Sequence, residues 1–443
     1  MSAEGKAVLL TTYTHTTMTQ IAEMNSMKLM ELEDRYGAHN YHPLPVVLSR
    51  GEGVYVWDPE GNRYYDFLSA YSAVNQGHCH PRLVDAMKSQ AELLTLTSRA
   101  FYNDKLGPFE KYMTEYFNYD RVLPMNSGVE AVETAMKLCR KWAYQKKGLP
   151  EQQAKIVFVE QNFHGRTLAV ISASVDPDAR DEYGPYLPGI ELIPYDDLDA
   201  LSTALSDPNV AGFLVEPIQG EAGVVVPSDG YLAKAKALCE EYKVLFIADE
   251  VQTGIARTGK LLATCGNCSC ETSCGHQPEV KPDILILGKA LSGGMMPVSA
   301  VLANDDIMLC IKPGEHGSTF GGNPLACAVA MEALEIVRDE ALAERAHTLG
   351  TRFRERMQEV VNTTQIATLV RGRGLLNAVV INDTEDSKTA WNICVSLRDA
   401  GLLAKPTHGN IIRFAPPLVM TLEQLEDCCN IIASVLREYD QKS

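Results

Sequence analysis

The chain has 443 residues, of which 46% are apolar and 22% are charged, a balance that excludes wholesale disorder. Its 40 Lys and Arg against 57 Asp and Glu give a net charge of −17, which argues against binding of nucleic acid or anionic membranes. Apolar runs such as 244–248 are far shorter than a membrane span, and residues 1–20 lack the pattern of a secretory or transit signal. We therefore expect a cytosolic protein, with the mitochondrial matrix as the alternative if a presequence has been removed.

Taken in chain order, the first elements are an N-terminal arm over residues 1–35 and a β-hairpin. The hairpin is predicted because two alternating runs, 54–57 and 63–67, flank turn-forming residues at 58–62. From about 90 to 320, helical stretches such as 229–243 alternate with apolar runs at 156–159, 213–215, 244–248, 284–287 and 298–302. Continuous apolar strands separated by helices predict an α/β domain with a mostly parallel sheet buried on both faces.

The rest of the chain predicts an α+β arrangement. Pro324 is expected to open a long helix capped by Asn323, and Thr421 to cap the last helix. The elements expected between them are strands at 375–381 and 411–414 and a helix at 387–400. The predicted organisation is an arm (1–35), the first part of a small domain (36–90), a large α/β domain (91–330) and a small α+β domain (331–443).

Two charged residues follow two of the apolar strands. Asp249 comes directly after the run at 244–248, and Lys289 comes two residues after the run at 284–287. Ligands bind at the carboxyl ends of strands in open α/β sheets, and charges there are costly unless they have partners. The pair is compatible with a functional site and, equally, with a structural ion pair.

A helix start adds a third feature. Ser127 and Glu130 have the spacing of a capping box, and Gly128 allows the backbone to approach a ligand closely, which together favour an anion site. Ser318 and Thr319, in a second glycine-rich stretch, are further candidate phosphate donors. A phosphate site, a desolvated lysine and a buried carboxylate match pyridoxal phosphate, whose aldehyde needs an easily deprotonated lysine and whose ring nitrogen needs a carboxylate.

Six segments, in this order, resemble the class III aminotransferases of fold type I: PMNSGVEAVETAMKL, FHGRTL, EPIQGEAGV, LFIADEVQTGIARTG, LGKALSGG and HGSTFGGNPL. The resemblance runs from about residue 36 to the C-terminus. It implies a pyridoxal-phosphate enzyme that works as a homodimer with shared active sites and a ping-pong mechanism. Further segments, such as FLSAYSAVNQGHCHP and GLLAKPTHGNIIRFAPPL, resemble the branch of the class that acts on ornithine.

Carried onto matching positions, the resemblance implies that Lys289 forms the Schiff base with the cofactor and then carries a proton. Asp249 would pair with the ring nitrogen and Gln252 with the ring hydroxyl. The other implied cofactor contacts are Phe163 and Val251 on the two ring faces, Ser127, Gly128 and Val129 at the phosphate, and Thr319 from the neighbouring subunit.

The substrate residues implied by the resemblance are Arg166 for the α-carboxylate of ornithine, with Tyr41 and Tyr71 along the substrate. Glu221 would mask Arg413 while ornithine is bound and release it for 2-oxoglutarate. From the residues alone, the two arginines also fit two structural ion pairs. The implied activity is transfer of the δ-amino group of L-ornithine to 2-oxoglutarate, which gives glutamate 5-semialdehyde and glutamate. N-acetylornithine and 4-aminobutyrate are the alternative donors.

The cysteines form two groups. Eight are scattered, mostly among apolar neighbours, and are expected to be buried thiols: Cys79, Cys139, Cys239, Cys310, Cys327, Cys394, Cys428 and Cys429. The others, Cys265, Cys268, Cys270 and Cys274, crowd into ten residues and depart from the family pattern. A zinc site, a reversible disulfide and an inert loop fit this cluster equally. A more distant alternative is a non-catalytic metal or thiol sensor on a degenerate fold, which intact Lys289, Asp249 and Ser127 argue against.

Overall fold

The computed structural model describes residues 24–267 and 280–441. The strands in these ranges are β1 (Arg50–Glu52), β2 (Tyr55–Trp57), β3 (Arg63–Asp66), β4 (Arg121–Met125), β5 (Lys155–Val159), β6 (Ile190–Ile193), β7 (Val210–Val215), β8 (Leu245–Asp249), β9 (Ile284–Leu287), β10 (Ser299–Ala303), β11 (Ala367–Arg373), β12 (Leu376–Ile381), β13 (Leu402–Leu403), β14 (Lys405–Pro406) and β15 (Ile411–Phe414). They form three sheets.

The α-helices in the same ranges are α1 (Ser26–Tyr36), α2 (Ser69–Ser72), α3 (Pro81–Ala91), α4 (Leu106–Phe117), α5 (Gly128–Trp142), α6 (Leu168–Ile171), α7 (Pro177–Arg180), α8 (Leu198–Leu205), α9 (Tyr231–Glu241), α10 (Asp305–Met308), α11 (Pro324–Asp339), α12 (Leu342–Thr363), α13 (Thr389–Asp399) and α14 (Leu422–Asp440). A π-helical turn, Ala143–Lys147, continues α5, and 3-10 turns lie at Thr264–Asn267 and Lys289–Ser292. None of the described helices combines the length and apolar character needed to cross a membrane.

The central sheet has seven strands in the order β4-β10-β9-β8-β7-β5-β6. Strand β10 runs antiparallel to both neighbours, and the other neighbouring pairs are parallel. Every residue of β7, β8 and β9 is buried, because α5 packs on one face of the sheet and α8 and α9 pack on the other. The predicted α/β fold with a mostly parallel buried sheet is confirmed.

The edge formed by the carboxyl ends of these strands brings together distant parts of the chain. Strand β8 ends at Asp249 itself, and β9 ends two residues before Lys289. Strand β4 leads into the capping box of α5, in which the Ser127 hydroxyl accepts a hydrogen bond from the Glu130 backbone N–H. The Ser299 hydroxyl at the start of β10 donates to the Ser127 carbonyl oxygen at 2.7 Å, which fixes the start of α5 against the sheet.

Two four-stranded sheets complete the fold. The predicted hairpin is confirmed as antiparallel β2 and β3, and β3 pairs in parallel with β13 from the C-terminal part of the chain. The other sheet has the order β11-β12-β15-β14, and its central strand β15 carries Arg413. Residues from both ends of the chain therefore share a sheet, whereas the predicted domain boundaries stay a prediction.

Candidate active site

A cavity of about 220 Å³ lies at the carboxyl edge of the central sheet. Seven of the residues predicted to hold a cofactor line it: Gly128, Val129, Phe163, Asp249, Val251, Gln252 and Lys289. His164 and Glu216, which sequence reasoning did not assign, also line it. The elements that contribute these residues are separated by up to about 160 positions in sequence, and the parallel sheet is what places them together.

The Asp249 carboxylate is held from two sides. His164 Nδ1 lies 2.7 Å from Asp249 Oδ2, and the Val251 N–H donates to Oδ1 at 3.1 Å. In the described ranges Asp249 therefore pairs with His164, and the simple ion pair with Lys289 that the sequence also allowed does not form. His164 Nε2 is buried and has no hydrogen-bond partner among the described residues. The result is a carboxylate whose orientation is fixed toward the cavity.

Glu216 is a second buried carboxyl group next to Asp249. It accepts hydrogen bonds from the Phe163 N–H at 2.9 Å and from the Gly220 N–H at 3.3 Å. Burial raises the pKa of Glu216 to about 7, with a smaller opposing effect from His164 and a further rise from Asp249. Glu216 thus anchors the loop that carries Phe163, the residue predicted to cover the cofactor ring.

Lys289 begins a tight turn directly after Gly288 and has a φ of +45°, in the left-handed region that non-glycine residues rarely adopt. Burial lowers the pKa of the Lys289 ammonium, although Glu221 and Asp249 act in the opposite direction. A lysine that loses its proton more readily than usual is suited to act as a nucleophile and a base.

The start of α5 forms one wall of the cavity. A Cβ atom added to Gly128 would lie 2.9 Å from Val251 Cγ1, so only glycine fits there without displacing Val251. The first N–H groups of a helix have no partner within the helix, and they point out of its N-terminus. Nearby, the Asn126 side chain donates to the Ser318 hydroxyl at 2.8 Å, whereas Thr319 is exposed.

Arg413 is almost fully buried, with 2% of its side chain exposed, and it pairs with Glu221 at 2.7 Å. It also donates to Gln252 Oε1 at 3.1 Å. Burial alone would raise the pKa of Glu221, but Arg413, with smaller effects from Lys289 and Gln252, outweighs burial, and the pKa lies below its ordinary value. The carboxylate that the sequence suggested as the partner of Arg413 is therefore its partner in the structure, and Gln252 links the pair to the cavity.

Of the other predicted substrate residues, Tyr71 contacts Arg413 and Arg166 contacts Phe163. The Arg413 guanidinium lies 4.7 Å from the ring centre of Tyr71, and the Arg166 guanidinium lies 5.5 Å from that of Phe163. Tyr71 lies in α2, which is a single turn rather than a regular right-handed helix, because residues 69–72 all have positive φ; Asp66 accepts hydrogen bonds from the backbone N–H groups at its start. Tyr41 is 74% exposed, and Arg166 is exposed as well. Arg166 therefore lies against a residue that lines the cavity, and the roles of these side chains in substrate binding stay predictions.

Arg257 is a buried cation that sequence reasoning missed. Its Nη1 donates to the carbonyl oxygens of Leu375 at 2.9 Å and Pro416 at 2.6 Å, and its Nε donates to the Asn75 side chain at 3.1 Å. Arg257 thus ties the loop after β8 to the segment that follows β15, the strand of Arg413. The available signal is an arginine directly after the apolar pair Ile255-Ala256 in GIARTG, a pattern that also fits an exposed loop.

The structure describes the cysteines in part. Seven of the eight scattered thiols are buried as expected, but the expectation for Cys79 is wrong: it is exposed, because it lies in a turn with a φ of +49° just before α3. Cys265 is partly buried. Cys268, Cys270 and Cys274 lie outside the described residues, so the hypotheses for the cluster stay predictions. Within the ranges that are described, no group of three or more potential ligands is arranged to hold a metal ion.

The sheet order and the converging lysine, carboxylate and helix N-terminus define a fold-type I aminotransferase site. The model of the family "Aminotransferase class-III" matches residues 36–436, and the chain belongs to this family of pyridoxal-phosphate-dependent enzymes. The predicted family is therefore confirmed, and membership in an enzyme family argues against the non-catalytic sensor.

Three relatives give the comparison more detail. The chain is 57% identical over 440 residues to "Ornithine aminotransferase, mitochondrial" of Drosophila melanogaster, an alignment that covers 98% of each chain. Its structure is similar to that of the ornithine aminotransferase from Toxoplasma gondii, described with partial occupancy of pyridoxal phosphate at the active site; the TM-score is 0.90 at 48% identity, with coverage of 94% and 95%. It is also similar to the acetylornithine aminotransferase from Elizabethkingia anophelis, with a TM-score of 0.83, 59% identity, and coverage of 94% and 100%.

Proposed function

We propose that the chain is an ornithine δ-aminotransferase, which moves the δ-amino group of L-ornithine to 2-oxoglutarate and gives glutamate 5-semialdehyde and glutamate. The observation that carries the proposal is the Glu221–Arg413 pair beside the cavity that Lys289 lines. With Glu221 in place, the carboxylate site at Arg413 is masked, which suits a donor that brings one carboxylate. The names of the fly and Toxoplasma relatives support the same substrate.

The side chains around the cavity fit pyridoxal phosphate. The N-terminus of α5, with Ser127, Gly128 and the backbone of Val129, would hold the phosphate, since its free N–H groups and dipole favour an anion. The close contact that a Cβ at Gly128 would make with Val251 is consistent with a site shaped for a bound group.

The remaining contacts surround the ring. Phe163 and Val251 would cover its two faces, Asp249 would lie at the ring nitrogen, and Gln252 would lie at the ring hydroxyl. Lys289 would attach the cofactor. When bound, this cofactor supplies an electrophilic carbon that takes up the amino group and a ring that stabilises negative charge.

The protein's own groups supply proton handling and orientation. Lys289 Nζ, whose pKa is lowered, would accept and return the proton that moves between substrate carbon and cofactor carbon. Asp249, fixed by His164, would hold a proton on the ring nitrogen. His164 would act through Asp249 as a positioning residue.

Orientation decides which amino group reacts. Arg166 would hold the α-carboxylate of ornithine at the mouth of the site, with Tyr41 and Tyr71 along the substrate. The δ-amine then lies at the cavity and the α-amine lies outside it, so that regiochemistry follows from position rather than from reactivity. When a dicarboxylate enters, Glu221 would leave Arg413 free for its second carboxylate.

We also propose a homodimer with shared active sites. Ser318 is engaged with Asn126 of its own subunit, and exposed Thr319 would reach the phosphate site of the neighbouring subunit. The compartment, cytosol or mitochondrial matrix, stays a prediction.

The proposal is tested with a panel of amines, read as loss of the absorbance of the lysine-linked cofactor. We expect rapid loss with L-ornithine and slow loss with N-acetylornithine and 4-aminobutyrate. N-acetylornithine is included because the Elizabethkingia neighbour is described as an acetylornithine aminotransferase. The proposal is wrong if ornithine leaves the spectrum unchanged while either other amine is consumed.

A lysine variant tests the attachment point. After borohydride reduction, the wild-type chain should keep the mass of the cofactor, and Lys289→Ala should not. Lys388→Ala, an exposed lysine outside the cavity, is the matched control and should behave as wild type. Retention of the reduced cofactor by Lys289→Ala would place the link elsewhere.

A further inference from the structure

Lys405 lies beside Arg413 in the sheet formed by β11, β12, β15 and β14. Strands β14 and β15 are antiparallel, and Lys405 is the direct register partner of Arg413. Direct partners in an antiparallel pair project from the same face, with Cβ atoms roughly 4.5–5.5 Å apart. A second cation therefore stands next to the arginine that receives a carboxylate in the proposed reaction.

Lys405 also contacts two of the predicted substrate residues, Tyr71 and Tyr41. Its Nζ donates to the Tyr71 hydroxyl at 3.3 Å and lies 5.9 Å from the centre of the Tyr41 ring. Arg413 approaches the ring of the same Tyr71 at 4.7 Å. Tyr71 is thus contacted by both cations, which places the Lys405 ammonium on the same side of the sheet as the Arg413 guanidinium.

The positive charges of Arg413 and Lys405 are not both balanced by nearby carboxylates. Arg413 has Glu221 at 2.7 Å, whereas no described carboxylate lies within 4.0 Å of the Lys405 ammonium. Lys405 is half-buried, and a partly desolvated cation without a counter-ion favours an anionic ligand. Because Glu221 pairs with Arg413 alone, the positive charge of Lys405 has no described carboxylate to balance it.

We propose that Lys405 is a specificity-determining residue for the dicarboxylate substrates. Its ammonium, together with Arg413, binds the second carboxylate of glutamate and 2-oxoglutarate once Glu221 has moved away. Ornithine brings a single carboxylate, which Arg166 holds, so it gains nothing from Lys405. The inference rests on the proposed function, because that function assigns the two carboxylates to the two ends of the site.

The test compares ligands with one and two carboxylates in Lys405→Met, which removes the charge and keeps most of the chain length. Half-reactions followed by the cofactor absorbance give dissociation constants for glutamate, 2-oxoglutarate and ornithine. Glutarate, a dicarboxylate without a reactive group, gives a binding constant by calorimetry without turnover. We expect binding of the three dicarboxylates to weaken about tenfold or more, the loss typical of one charge-assisted hydrogen bond, and that of ornithine to change less than about twofold.

Two further variants control the experiment. Lys405→Arg keeps the positive charge and should restore dicarboxylate binding to within about threefold of wild type, and Lys388→Met, an exposed lysine elsewhere, should have no effect. Equal weakening of ornithine and glutamate, without rescue by arginine, would show a structural role and overturn the proposal. Unchanged glutarate binding in Lys405→Met would also overturn it.

Failure of the proposed function has a different signature. It would appear in the wild-type enzyme, as no half-reaction with ornithine, before any variant is measured. In that case the single-carboxylate amine that the wild type does accept replaces ornithine as the reference, and the glutarate and glutamate comparisons decide the role of Lys405 unchanged.

Discussion

Replacing Glu221 with alanine removes the carboxylate that pairs with Arg413 and that, in the proposed function, masks it. The Arg413 side chain is 2% exposed and would keep its hydrogen bond to the Gln252 oxygen at 3.1 Å, so it would remain a buried cation without a paired carboxylate, next to a residue that lines the cavity. A hydrogen bond to a charged group contributes about 1.5–3 kcal/mol, and removal of one partner of a buried pair costs about 3–5 kcal/mol. Because 29% of the Glu221 side chain is exposed, we expect the lower range, about 1.5–3 kcal/mol.

The same energy appears as a gain for a competing carboxylate. In Glu221→Ala, glutamate and 2-oxoglutarate no longer have to displace Glu221, so their affinity should rise about tenfold to a hundredfold. Ornithine leaves the pair intact and should gain little, so the preference for ornithine over glutamate should fall by the same factor.

The assay is a pair of half-reactions with glutamate and ornithine, measured over a range of concentrations, together with the melting temperature. Glu426→Ala is the matched control, because it also removes a carboxylate paired with arginine, but outside the cavity. Glutamate affinity that stays unchanged or falls in Glu221→Ala would refute the masking of Arg413.

Three other changes have expected outcomes. Gly128→Ala should weaken cofactor binding, because the new Cβ would lie 2.9 Å from Val251 Cγ1. The measurement is a titration of the cofactor-free protein with cofactor. Gly107→Ala is the control and should leave cofactor binding unchanged, because a Cβ at Gly107 meets nothing within 4 Å. The pKa of Glu216 is about 7 in the folded protein and 4.5 for the free side chain, so the folded state holds a proton that the unfolded state loses, and the stability of the fold falls as pH rises from about 4.5 to 7. The melting temperature of Glu216→Gln should lack this fall. A pH profile identical to that of the wild type would contradict the raised pKa of Glu216. Tyr41→Phe should reduce the preference for ornithine over 4-aminobutyrate in competition assays, and an unchanged ratio would remove Tyr41 from substrate selection.

The sequence predicted the central sheet because its strands are continuous apolar runs. The predicted strand at 284–287 matches β9 and that at 411–414 matches β15, and the helix starts at Asn323 and Thr421 have the expected side-chain caps. Strand β4 was not predicted; it contains Pro124, which argues against a strand in sequence but is tolerated at the edge position that β4 occupies.

The sequence predicted those site residues whose chemical role is visible from their neighbours in the chain. Lys289 and Asp249 stand out because a charged side chain at the end of a buried strand is costly unless it has a partner or a ligand. His164 does not, since one histidine after Phe163 is compatible with many roles, and only the fold brings it within 2.7 Å of a residue 85 positions away. Lys405 and Arg257 were missed for the same reason: a lysine or arginine in a loop or short strand is ordinarily solvated, and strand register and burial emerge only in three dimensions.

In the proposed reaction the δ-amine of ornithine, and not its α-amine, reaches the cavity. Ornithine labelled with ¹⁵N at the δ position, incubated with the enzyme and 2-oxoglutarate, tests it directly by mass spectrometry of the glutamate formed. We expect ¹⁵N-labelled glutamate together with an unlabelled semialdehyde that retains the α-amine. Unlabelled glutamate would show transfer of the α-amine and would contradict the positions assigned to Arg166, Glu221 and Arg413.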